Sequence, residues 1–270
     1  MIVKIENSKF NNSNPTLTLA QYQEAMSILE AVDPDEGWGN LLRPIFIVLC
    51  NARGWFAQMG DKFVKDQPYW HAGIAFGPAL STIYSFNIQD PDVIKGGGLS
   101  FQSLNYYNKT IPEGDLQVNC LFVTNDTYKI IKDTLMYYIK NKQNAHYNYM
   151  NLVKYLFGKP DPTNAPNLNV VCSQFVDILL KSANINISGK TSNMTKPSDL
   201  RWNGDKKYFK LYQGKVKGFK PERIYDKVDK LSSDMTNEYV TAAINKGVIE
   251  DTKDEKDTNT NNKFGDKNDR

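Results

Sequence analysis

Histidine and cysteine are the scarce residues of this 270-residue chain, which contains two histidines, His71 and His146, and three cysteines, Cys50, Cys120 and Cys172. Three scattered thiols, an odd number, do not form a disulfide framework. No CxxC pair or His/Cys cluster at ligand spacing occurs, so no metal site is expected. The GxxxxGK[ST], HExxH and GxSxG motifs are also missing, and no nucleotide or flavin signature is present, so no cofactor is implied.

Long apolar runs are lacking as well. None approaches the roughly 18 residues that cross a bilayer, and the opening MIVKIENSKFNN has no apolar signal core. The expectation is a protein with no membrane span, made and first used in the cytosol. The net charge of +3 is mild and does not point to nucleic acid as a partner.

What the chain does have is 40% apolar and 12% aromatic residues, enough for a sizeable core. The length suggests one principal domain with decorated ends. The last 21 residues, from Glu250, hold seven acidic and five basic side chains and one large apolar residue, Phe264. Such a tail buries too little to offset the entropy of ordering and is expected to be a disordered end or a tether.

Near the start, Thr18 and Gln21 are spaced as a candidate capping box ahead of Tyr22, Ala25, Met26, Leu29 and Val32, which predicts an amphipathic helix. RPIFIVLC (43–50) reads as a buried strand, HAGIAF and IYSFN as a hairpin around GPA, and GGGLSFQSL (96–104) as a further strand. LQVNCLFVT (116–124) alternates as a strand should. NDTYKIIKDTLMYYIKN (125–141) and YNYMNLVKYLFG (147–158) carry helical spacing. In VVCSQFVDILL (170–180), Cys172, Phe175, Val176 and Leu179 fall on one helical stripe, with the cysteine in the first turn. KYFKLYQGKV (207–216) suggests a last strand and NEYVTAAINKG (237–247) a terminal helix. The sum is an α+β fold, an antiparallel sheet with packed helices. The domain reading is an N-terminal helical extension at 1–40, the main domain at 41–232, a C-terminal helix at 233–249 and the charged tail at 250–270.

A thiol at a helix N-terminus meets unpaired N–H groups and the positive end of the dipole, which favour the thiolate, and the same N–H groups suit an oxyanion. A histidine on a rigid strand can serve as its base once tertiary folding joins them. The alternatives are a small core cysteine at 172 and a packing histidine at 71. Cys50 and Cys120 sit inside strand patterns and read as core, and His146 reads as a surface residue.

Taken together, HAGIAF…IYSFN resembles the H-[VA]-G-I strand pair of the NlpC/P60 superfamily, and VVCSQFVDILL resembles its C-S-[EQ]-[FL]-V helix. Histidine precedes cysteine here, as in the circularly permuted branch that includes YiiX-like and lecithin:retinol acyltransferase-like proteins. The resemblance spans roughly Ile45 to Gly214. PIFIVL, IYSFN, NYMNLV and CSQFVDILL are also similar to segments of uncharacterised proteins of large tailed phages carrying this permuted fold.

The resemblance implies a permuted papain-like fold with Cys172 as nucleophile and His71 as general base. A third residue on the next strand would orient the imidazole. Relatives often have glutamate there; this chain has Ser85, with Asn87 as the alternative. Tyr147 and Tyr149 are candidates for oxyanion or substrate contacts. The implied activity is a cysteine hydrolase cleaving an amide bond of a peptide or a peptidoglycan stem peptide. A virion-associated structural protein that keeps the fold, bound to other virion proteins, is the second reading. An acyltransferase or thioesterase is the third. The implied place is the cytoplasm of the producing cell or the virion.

Overall fold

The structure is a computed structural model that describes residues 41–51, 68–90, 95–156, 168–205 and 207–245. The helix expected at 18–32, the stretch between residues 52 and 67, and the charged tail lie outside the described residues.

Six strands make one sheet: β1 (Leu42–Cys50), β2 (His71–Ala75), β3 (Ile83–Asp90), β4 (Lys95–Gln102), β5 (Asp115–Thr124) and β6 (Tyr208–Lys215). Their order is β4-β3-β2-β1-β5-β6, and every neighbouring pair is antiparallel. β1 is central because its apolar run serves both faces of the pleat. Ile45, Ile47 and Leu49 enter one core, and Phe46, Val48 and Cys50 enter the other.

Helices cover both faces. On the first lie α2 (Asn125–Lys140) and α4 (Cys172–Ser182), whose Ile131, Leu135, Tyr138, Phe175, Val176 and Leu179 share a core with Ala72, Ile74 and Phe86. The rings of Phe86, Tyr138 and Phe175 form a triangle with centroids 5.0, 5.1 and 5.7 Å apart. Such ring pairs each add about 0.5–1.5 kcal/mol beyond the area they bury. α3 (Tyr149–Leu156) joins the two helices.

The second face is covered by α1 (Leu104–Thr110) and α5 (Pro221–Asn245), through Leu104, Tyr107, Ile224 and Val228. α1 is not anticipated by periodicity, being only seven residues long. The Ser103 hydroxyl starts it by accepting from the Tyr106 N–H at 3.1 Å. α5 begins with a proline at its first position, where no N–H is needed, and runs unbroken past residue 232. The terminal helix is therefore longer than its sequence pattern suggested, because Ile224 and Val228 are a full turn apart and bury together.

β2 and β3 pair through Ile74 and Tyr84. At Gly73 they run so close that a Cβ would lie 2.5 Å from Ile83 Cγ2, so the position accepts only glycine without displacement. Across the sheet, Cys50 stands directly opposite His71. Cross-strand partners project to the same side, so the imidazole belongs to the face that α1 covers.

Candidate active site

The first turn of α4 is capped in an unusual way. Its N-cap is Val171, which has no acceptor in its side chain; Gln174 reaches back instead, Oε1 accepting from the Val171 N–H at 3.0 Å. Gln174 Nε2 donates to Asn193 O at 3.0 Å and Ser173 Oγ to Thr195 O at 2.6 Å, which ties the turn to the 3-10 segment Ser192–Met194. A serine or aspartate at the cap would consume first-turn N–H groups. With valine there, the N–H groups of Cys172 and Ser173 are left to the Cys172 sulfur.

That sulfur lies against the main chain on both sides of His71. Its S–H faces Trp70 O at 3.8 Å, and the Ala72 N–H is directed at it. The Tyr147 side chain hydrogen-bonds the same thiol. Tyr147 is held in place by donating its N–H to Gly97 O at 3.1 Å and by a parallel bridge to Val170. Beside it, Gly98 approaches Ala145 so closely that a Cβ would lie 2.1 Å from the Ala145 oxygen.

His71 Nε2 is 2.9 Å from Ser85 Oγ. The Ser85 hydroxyl has one proton, and its geometry directs that proton to main-chain oxygens, Ala72 O at 2.8 Å and more weakly Phe86 O at 3.3 Å. Ser85 must then accept from the ring, which puts the imidazole proton on Nε2 and the lone pair on Nδ1. The Gln102 side chain also hydrogen-bonds the ring. Tyr107 stands edge-on to the imidazole at 6.5 Å and donates its hydroxyl to Gln102 Oε1 at 2.8 Å.

Both reacting groups are neutral in this arrangement. Burial lowers His71 to about 4, opposed by the Gln102 bond. Burial raises Cys172 above its usual value, opposed by the N–H groups of Ala72, Ser173 and Cys172 and by Tyr147. Cys172 is 3% exposed and His71 6%.

Of the residues expected from the sequence, Ser85 bonds His71 on the face of the sheet that α1 covers, and Tyr147 bonds Cys172 at the tip of α4 on the other face, so the two pairs meet only through the main chain of residues 70–72. Among the described residues no hydrogen bond joins the Cys172 sulfur to the His71 ring: the thiol faces Trp70, and the imidazole bonds Ser85 and Gln102. Asn87 is not at the imidazole. Its Oδ1 accepts from the adjacent Ile88 N–H at 3.0 Å, and it lines a separate groove of about 840 Å³ with Gly96–Gly98 and His146. Tyr149 reaches the Gly96 carbonyl and packs against Tyr147 at a tilt, with centroids 5.2 Å apart, so it braces Tyr147.

Three participants escaped sequence reasoning: Gln102, Tyr107 and Gln174. Gln174 had a signal, since it stands three residues after the cap where a capping glutamine belongs. Gln102 had only strand alternation with Ser100, the partner of Ser85.

Among the described residues no three His, Cys, Asp or Glu side chains gather to hold a metal ion, and no helix is long and apolar enough to cross a membrane. No family model, curated protein or solved structure matches the chain. What the fold and the site define is a class: a mixed α+β protein, with a buried thiol at a helix tip beside a histidine on the sheet.

Proposed function

We propose that the chain is a cysteine hydrolase of the circularly permuted NlpC/P60 type, cleaving an amide bond in a peptide or peptidoglycan stem peptide. The observation that carries this reading is the Ser85–His71 bond, which leaves Nδ1 as a base while Cys172 sits at a helix tip against the main chain flanking that histidine.

In the proposed reaction the imidazole, carried by the first residue of β2, and the thiol must first be drawn together around the end of that strand. The thiol then gives up its contact with Trp70 O and passes its proton to Nδ1 as sulfur bonds the carbonyl carbon. The oxygen of the tetrahedral intermediate takes the backbone N–H of Cys172. The C–N bond then breaks, and the departing amine takes the proton from Nδ1. Water next attacks the thioester, giving its proton to Nδ1, which returns it to the leaving sulfur. Carboxylic acid and amine are the products, and the enzyme is regenerated.

Labelling with a thiol-directed electrophile tests the reading. Cys172→Ala is expected to abolish labelling of the folded protein, and Cys50→Ala or Cys120→Ala to leave it unchanged. Equal labelling of the Cys172→Ala protein would overturn the assignment.

A second reading has its own support. Thiol and imidazole are nearly sealed, and Ser85 gives an imidazolium no counter-charge. Weak or absent catalysis fits these features, and with it the reading of a virion-associated structural protein that keeps the fold. A stable complex with other virion proteins that survives Cys172→Ala, with no cleavage by the parent chain, would establish it.

A further inference from the structure

The corner between β4 and α1 is built to aim one side chain. Gln102 ends the strand, Ser103 caps the helix, and the Leu104 N–H bonds Leu80 O at 3.0 Å. One turn on, Tyr107 is 3% exposed and folds its hydroxyl back onto Gln102 Oε1 at 2.8 Å. A phenol bonded this way has one proton to give, so it fixes which end of the amide is oxygen. That oxygen keeps a second lone pair, and the ring beside it is His71.

We propose that Gln102, locked by Tyr107, is a positioning residue for His71, a second neutral acceptor that shares the imidazole N–H with Ser85. A carboxylate at this site would make the same histidine a far stronger base. The consequence for catalysis rests on the hydrolase reading; the orientation of the ring does not.

The groups around the imidazole make this testable. Cys50 faces it from β1, Ser85 from β3, Gln102 from β4 and Tyr107 from α1, with the Cys172 thiol beyond the strand. All are uncharged at neutral pH, so introducing one charge produces a readable change. An opposite charge at this range shifts a histidine by one unit or more, about tenfold in proton affinity.

The experiment is a histidine-specific NMR titration of the full chain, with His146→Gln separating the two ring signals. Gln102→Glu is expected to raise the proton affinity of His71 at least about tenfold while the proton stays on Nε2. Gln102→Met, of similar shape but without the acceptor, is expected to lower the affinity and mix the tautomers. Tyr107→Phe, which frees the amide, should move His71 in the same direction as Gln102→Met by a smaller amount, and it serves if the Gln102 variants do not fold. Folded variants that all leave the affinity and tautomer of His71 unchanged would overturn the proposal. If His71 shifts while Cys172 is unreactive toward electrophile in every variant, the positioning role stands and the hydrolase reading falls.

Discussion

Cys172 and Cys50 are both buried thiols near one imidazole, yet their surroundings differ in kind. Cys50 faces His71 directly across two paired strands, and the one group that opposes the rise of its thiol is the Tyr107 side chain. Burial drives it up to about 12. Cys172 is buried as deeply but stands at a helix tip, where three backbone N–H groups and a tyrosine oppose the rise. Proximity in register favours Cys50, whereas chemistry favours Cys172. Under the hydrolase reading, the donors aimed at a thiol matter more than its distance from a base in deciding which of the two is the nucleophile.

The sharpest way to break this comparison is turnover. Under the hydrolase reading Cys172→Ala removes the bond-forming atom, and amide cleavage is expected to fall by about 10³-fold or more. Cys50→Ala should leave the rate within a few-fold, while costing stability because a core atom is lost. Reversed effects in a cleavage assay would make Cys50 the reactive thiol.

Stability against pH separates the same groups by sign. His71 is lowered from 6.5 to about 4, so the unfolded chain binds its proton more tightly. Its contribution is complete above about pH 6.5 and is lost as pH falls toward 4, about 3 kcal/mol in all. Cys50 is shifted the other way, from 9.0 to about 12. Its contribution is complete below pH 9 and drains away as pH rises, about 2–3 kcal/mol by pH 11. Urea titrations across pH should show His71→Gln flattening the acid arm and Cys50→Val flattening the alkaline arm more than Cys172→Ala does. Unchanged slopes in these variants would mean that neither group is buried as described.

How much of this was legible in the sequence follows from the range of each interaction. Strands such as 116–124 and the stripe Cys172, Phe175, Val176, Leu179 are written in local periodicity, and they appear where expected. Ser85 was placed at His71 by analogy with a strand pair and is bonded to it; Asn87, two residues on, spends its amide on its own backbone. Gln102 and Tyr107 reach the imidazole through a strand-to-helix corner whose seven-residue helix has no readable period. Which face of β2 carries the histidine depends on pairing with Cys50, a long-range register that no local pattern encodes. For the same reason spacing could not reveal that α4 lies on one face and the imidazole on the other.

The smallest of the expected effects is the most discriminating, because it touches the imidazole without touching either thiol. Ser85→Ala removes the acceptor on Nε2 and leaves Ala72 O without its hydroxyl partner. One hydrogen bond of this kind contributes about 1 kcal/mol, so a modest drop in the thermal midpoint is expected. The larger consequence is chemical: without Ser85 the proton can move to Nδ1, and that tautomer cannot accept from Cys172. Cleavage should fall about tenfold, and Ser85→Thr, which keeps the hydroxyl, should restore most of it. Cys50 does not depend on which nitrogen holds the proton, because its hydrogen bond is to Tyr107. Its slow labelling under partial denaturation should therefore be the same in both Ser85 variants. A loss of rate in Ser85→Ala that Ser85→Thr fails to recover would show that the serine matters for packing alone, and would leave Gln102 as the sole side chain orienting the ring.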